Sequence, residues 1–116
     1  MRKKNYKGRC QKKSLSKCNN ICRTYDDIQF VYADKLESDN NIKDIKCNVV
    51  LDEKLNDNEY MSDFVCTNIK GDIIVRECVF RKHLMKPLTI KLLDFSRNYW
   101  LKHGVSDWGI VINEEK

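Results

Sequence analysis

A chain of 116 residues, 41% hydrophobic and 34% charged, with one proline and four glycines, has room for one domain with a core and excludes two domains, a repeat array or a low-complexity chain. No run of about 18 apolar residues occurs, which excludes a bilayer-spanning helix. Met1-Arg2-Lys3-Lys4 is not followed by the apolar stretch of a signal peptide, so a cytoplasmic protein with reduced cysteines is expected.

The formal charge of +5 is unevenly spread, because residues 1–24 carry nine Lys or Arg and no acid and leave −4 on the remainder. Residues 1–24 therefore read as a basic N-terminal arm and residues 25–116 as the folded domain. Lys3, Lys4, Lys7, Arg9, Lys12 and Lys13 are the candidate phosphate contacts, since neutralising phosphates releases counterions from nucleic acid. A solvated tail is the alternative. Cys10, Cys18 and Cys22 share this stretch. Cys18-x3-Cys22 has zinc-knuckle spacing, but a closed site needs a further ligand from Cys47, His83 or His103, all distant in sequence, so inert thiols rather than zinc are the expectation.

Thr24 followed by Asp27 has the spacing of a helix cap, and Tyr25, Ile28, Val31, Tyr32 and Leu36 recur on one face, which predicts a helix over 25–38. Ser38-Asp39-Asn40-Asn41 ends it. Ile45, Cys47, Val49 and Leu51 alternate with their neighbours as in a strand, and residues 52–60, acidic and rich in Asn, read as a surface loop.

Residues 61–82 then form two β-branched runs about a tight turn. Gly71 suits the left-handed position of a three-residue loop, Ile69-Lys70-Gly71, and that loop sets Asn68 opposite Asp72, Val65 opposite Val75 and Asp63 opposite Glu77. By parity Met61, Asp63, Val65, Val75, Glu77 and Val79 share one face, and Phe64, Cys66, Ile74, Cys78 and Phe80 the other. Both faces are largely apolar, so the hairpin should lie inside a sheet covered on both sides.

Two acids opposed across a buried hairpin, with Cβ atoms roughly 5 Å apart, repel one another and need a reason. A hard divalent cation such as Mg²⁺ is one, held by Asp63 and Glu77 with the carbonyl of Cys78. Solvation at a strand end, protonation, or pairing with Arg76 or Arg81 are the others.

Pro87 fits the first turn of a helix whose stripe is Leu88, Leu92, Phe95 and Tyr99, closed by Gly104. Lys86, Lys91, Arg97 and Lys102 lie on its remaining surface, and Trp100 and Trp108 read as packing residues. His103 near the helix end suits the dipole. Residues 108–112, WGIVI, read as a buried last strand, giving the order αβββαβ and a mixed sheet with helices packed on it. No Gly-rich phosphate loop, H-E-x-x-H or G-x-S-x-G occurs, so those enzyme classes lack their groups.

That order, with YDDIQ (25–29), SDF (62–64), GDIIVRECV (71–79) and HGVSDWGIVI (103–112), resembles the restriction-endonuclease-like PD-(D/E)xK core, and more narrowly the N-terminal catalytic domain of TnsA, the endonuclease subunit of heteromeric transposons. The resemblance implies an α/β nuclease fold, Mg²⁺ as cofactor, DNA and a transposase or other protein as partners, and a site in which Asp63 is the strand Asp and Glu77 the second metal ligand. Gln29 falls where the helix acid is expected and Val79 where the Lys is expected. Gln29 retains a carbonyl oxygen for coordination, whereas Val79 can neither orient water nor offset charge, which leaves Arg81, Lys82 or Lys91 to replace the Lys. The implied function is a DNA-binding protein of a mobile element acting as a Mg²⁺-dependent endonuclease. The alternative is a catalytically inactive nuclease fold serving as a DNA-binding or protein-interaction subunit.

Overall fold

Gly71, at φ 91°, turns the chain between the strands β4 (Met61–Asn68) and β5 (Ile73–Val79). The Asn68 side chain accepts the N–H groups of Lys70 and Asp72, both at 2.9 Å, and Asn68 N donates to Asp72 O at 2.9 Å, so the loop has the expected register. Val65 accordingly faces Val75, and Phe64 faces Arg76.

The computed structural model describes residues 11–18 and 21–113. In chain order the remaining elements are β1 (Gln11–Lys13), β2 (Cys22–Thr24), helix α1 (Asp27–Ser38), β3 (Ile42–Val50), a 3₁₀ turn (Arg81–His83) after β5, helix α2 (Pro87–Lys102) and β6 (Asp107–Ile112). The strands β3, β4, β5 and β6 form one mixed sheet in that order, antiparallel except for the parallel β5–β6 pair. Because β5 and β6 run parallel, the chain must cross over between them, and α2 is that crossover. Among the described residues no helix is long and apolar enough to cross a membrane.

The hairpin parity separates two cores. On the α1 side Ile28, Ala33, Leu36, Ile45, Phe64, Cys66, Ile74 and Cys78 are buried together. On the α2 side Leu51, Tyr60, Val65, Val75, Leu92, Tyr99, Trp100 and Val105 are. The two central strands are thus covered on both faces, as their composition requires.

Four local expectations are corrected. The α1 cap is Asp26, whose Oδ1 accepts the Gln29 N–H at 2.8 Å; Thr24 is occupied as the last residue of β2, its hydroxyl donating to Gln11 O at 3.2 Å. The buried face of α1 is Ile28, Gln29, Ala33 and Leu36, while Val31 is 55% exposed. The last strand is an edge strand, not a buried one, with Ile110 exposed. Within the stretch expected to be a basic arm, β1 and β2 form an antiparallel ribbon, and Leu15 and Cys22 join the α1-side core.

The ribbon is fastened at several points. Lys13 lies 2.6 Å from Asp34 and 3.7 Å from the centre of the Phe30 ring, so it is engaged on α1 rather than presented to a phosphate, whereas Lys12 is exposed. Ser16 donates through its hydroxyl and N–H to Glu37, and the Ser16 hydroxyl holds the Glu37 carboxyl below its usual range. Lys3, Lys4, Lys7, Arg9 and Cys10 lie outside the described residues.

Candidate functional site

The β4–β5 ladder stops at the Phe64–Arg76 pair, and beyond it side chains take the place of backbone partners. Asp63 N–H donates to Glu77 Oε1 at 3.1 Å, and Cys78 N–H donates to Asp63 Oδ2 at 2.7 Å. Each acid therefore satisfies a backbone donor of the opposing strand that would otherwise be orphaned in the interior. Asp63 is 1% exposed and Glu77 0%.

The expectation that Asp63 and Glu77 form a directly opposed pair on one face is corrected: the ladder ends before them, and each acid turns to a helix on a different side of the sheet. Gln29 Nε2 donates to Asp63 Oδ1 at 2.7 Å, so α1 is tied to β4; Ser96 Oγ donates to Glu77 Oε2 at 2.6 Å, so α2 is tied to β5. Charge-assisted bonds of this length are the stronger kind. Gln29 is itself oriented, because its Oε1 accepts the Tyr25 N–H at 2.7 Å. That corrects the expectation that Gln29 offers its carbonyl oxygen to a metal. It offers an N–H to Asp63, and a glutamate in its place would have set a third negative charge in the cluster.

Two of the sequence-predicted residues stand apart. Val79, in the position of the expected Lys, is half-buried at the end of β5. Arg81, expected as a replacement for the Lys, lies off the strand, since β5 ends at Val79 and Arg81 opens the 3₁₀ turn, its N–H donating to Asn113 at 2.7 Å. Arg76, the other basic residue considered for the acids, is turned to Asp107 on β6 at 2.8 Å, with its guanidinium against Gly109. Lys91 is exposed on α2. A cavity of about 160 Å³ lies beyond the open end of the hairpin, bordered by Asp26, Cys78, Val79, His83 and Thr89.

Sequence reasoning missed Ser96, which is fully buried and also accepts the Trp108 indole N–H at 3.0 Å, linking β6 to Glu77. A signal was present: Ser96 follows Leu92 by four positions, so it is a polar residue on the buried face of α2. Ser62 does the same for Trp100, accepting its indole N–H at 3.0 Å. Both tryptophans are packing residues, as their sequence context suggested.

Among the described residues no three His, Cys, Asp or Glu side chains are grouped to hold a metal ion. The donor set at the hairpin nonetheless suits Mg²⁺, which is held by one or two carboxylates and keeps several waters. Each of the four carboxylate oxygens accepts a protein hydrogen bond, from Gln29, Cys78, Asp63 and Ser96. Compared with protein-family models and with curated proteins, the chain finds no match.

Proposed function

We propose that this chain is a DNA-acting protein of the restriction-endonuclease-like class, TnsA-type in its details, whose metal centre is Asp63 and Glu77. The observation that supports this reading best is the break in the β4–β5 ladder. Two carboxylates from adjacent strands are buried there, with Gln29 of the first helix fastened to one of them.

In this reading Asp63 and Glu77 hold Mg²⁺, which when bound lowers the pKa of a water and offsets charge on the phosphodiester. The protein supplies the positioning. Gln29 fixes the Asp63 carboxylate from α1, Ser96 fixes that of Glu77 from α2, and the Cys78 N–H holds Asp63 against β5. Lys12 and the basic residues before it grip the DNA backbone, a contact that sets register without reading sequence. A transposase or other mobile-element protein is the proposed partner.

The test is cleavage of supercoiled plasmid with Mg²⁺ or Mn²⁺. Asp63→Asn and Glu77→Gln are expected to lose about 100-fold or more in nicking rate, and Arg81→Ala, Lys82→Ala and Lys91→Ala ask which cation replaces the missing Lys. Nicking that survives both carboxylate changes overturns the assignment.

Val79 favours a second reading, a nuclease fold that binds DNA without cutting it. Under that reading affinity falls steeply with salt while no cleavage accompanies either metal. Absence of DNA binding at low salt leaves the protein-interaction role.

A further inference from the structure

Where the β1–β2 ribbon meets the sheet, thiols from separate segments converge. Cys22 lies on β2 and Cys47 on β3, and their Sγ atoms are 2.6 Å apart. That is closer than the roughly 3.5–4.0 Å of non-bonded atoms in contact. It is also closer than the roughly 3.8 Å between two sulfurs of a tetrahedral zinc with Zn–S bonds near 2.3 Å. The seam is held around them. Asn48, at φ 54°, follows Cys47 and donates through Nδ2 to Arg23 O at 2.8 Å, while Ile45 N–H donates to Lys17 O at 2.9 Å.

The two sulfurs have different surroundings. Cys22 is fully buried, and its thiolate is favoured by the Cys47 thiol donating to it and by the nearby Lys13 cation. Cys47 is kept protonated by that same contact and by burial, yet it is half-buried and borders an open groove of about 440 Å³ with Arg23, Tyr25 and Asn48. Cys66, in the same core, behaves as an ordinary interior thiol, pushed up to about 12 by burial. Thiol–disulfide exchange requires a thiolate, a second sulfur in bonding reach and access for the oxidant; Cys22 and Cys47 bring these together, and Cys18 is a third thiol facing Cys47.

We propose that Cys22 and Cys47 form a thiol–disulfide exchange site that takes a small anionic disulfide of the oxidised-glutathione type and closes into a covalent staple between β2 and β3. Arg23 at the groove supplies the complementary charge. Cys47, the accessible sulfur, gives up its proton to solvent at the groove and attacks one sulfur of the incoming disulfide. That S–S bond breaks, and the departing thiolate takes a proton from solvent. The Cys22 thiolate then attacks the Cys47 sulfur, expelling the second thiolate, which is protonated in turn. Counted from the fully protonated dithiol, the pair loses two electrons and two protons and the small disulfide gains both. The staple also fixes the segment leading to Tyr25, whose N–H orients Gln29, but the exchange chemistry does not depend on the nuclease reading.

The experiment incubates the full, reduced chain with oxidised glutathione over a range of reduced-to-oxidised ratios, quenches by alkylation and maps the peptides by mass spectrometry. A Cys22–Cys47 cross-linked peptide is expected to accumulate while Cys66 and Cys78 stay alkylatable. Cys18→Ser is expected to leave the cross-link intact, and Cys22→Ser to arrest the reaction with glutathione on Cys47. Cys22 and Cys47 that remain alkylatable at every ratio overturn the proposal. So does a native mass showing bound zinc that a chelator must remove before either thiol reacts. Because the decisive reading is on the unaltered chain, a variant that fails to fold does not decide the outcome.

Discussion

The two faces of the sheet solve the same burial problem with different chemistry. The α1 side packs aliphatic side chains and sulfur, with Cys22, Cys66 and Cys78 among its buried members, around Phe64, and its principal polar tie is Gln29 to Asp63. The α2 side sets Tyr60, Tyr99 and Trp100 among its aliphatic residues, and two serine hydroxyls bond indoles and Glu77: Ser62 with Trp100, Ser96 with Trp108 and Glu77. One hairpin thus sends one carboxylate to each helix. The acids set the position of both layers over the strands, and any ion held between them would feel both.

The largest effects should come from removing these ties. Asp63→Ala leaves the Cys78 N–H and the Gln29 amide without their buried acceptor, at roughly 1–3 kcal/mol each, so a loss of about 2–6 kcal/mol in urea unfolding is expected. A variant of wild-type stability would show that the α1 tie is not energetically coupled to the fold. Mg²⁺ sharpens the comparison further. If the carboxylates hold it, saturating metal at about 100 times its Kd raises stability by about 2.7 kcal/mol, and Glu77→Gln abolishes the increment. A thermal midpoint that does not respond to Mg²⁺ in the wild type removes the ion from the site.

Ser96→Ala tests the α2 side alone. It removes the hydroxyl that donates to Glu77 and accepts the Trp108 N–H, and a cost of about 1–3 kcal/mol is expected together with a shift in Trp108 fluorescence. A smaller loss, roughly 0.2–1 kcal/mol, is expected for Arg76→Met, since its pair with Asp107 is partly exposed; added salt should shrink the difference between the two proteins.

The mildest prediction concerns the ribbon. The folded-state pKa of Glu37 is depressed, so its contribution is present above the unfolded carboxylate value and is lost as pH falls through the folded one. Glu37→Gln should therefore lower the thermal midpoint at neutral pH, with the difference from wild type closing in acid. A difference independent of pH would assign the effect to packing.

Much of this was legible in the residues. Gly71 can take the positive φ that the turn needs, and a period of two then dictates which hairpin residues share a face, so the register and the two-sided burial followed from a short stretch. Pro87 and Gly104 marked the bounds of α2 because one lacks an N–H and the other lacks a Cβ. The ribbon was not legible: three-residue strands have too little periodicity to stand out against a run of lysines. Thr24 was misread as a cap because nothing local distinguishes it from Asp26 until β2 claims it.

The chain alone determined the hairpin, its register from Thr67–Ile73 to Phe64–Arg76, and the crossover helix, since these depend on local backbone preference and alternation. Only the tertiary structure decided which helix each carboxylate would meet, which way Gln29 would turn its amide, that Arg81 would leave the strand, and that Cys22 would come to rest on Cys47. Those outcomes join residues far apart in sequence, and they are set by which buried donors and acceptors remain once the layers have packed.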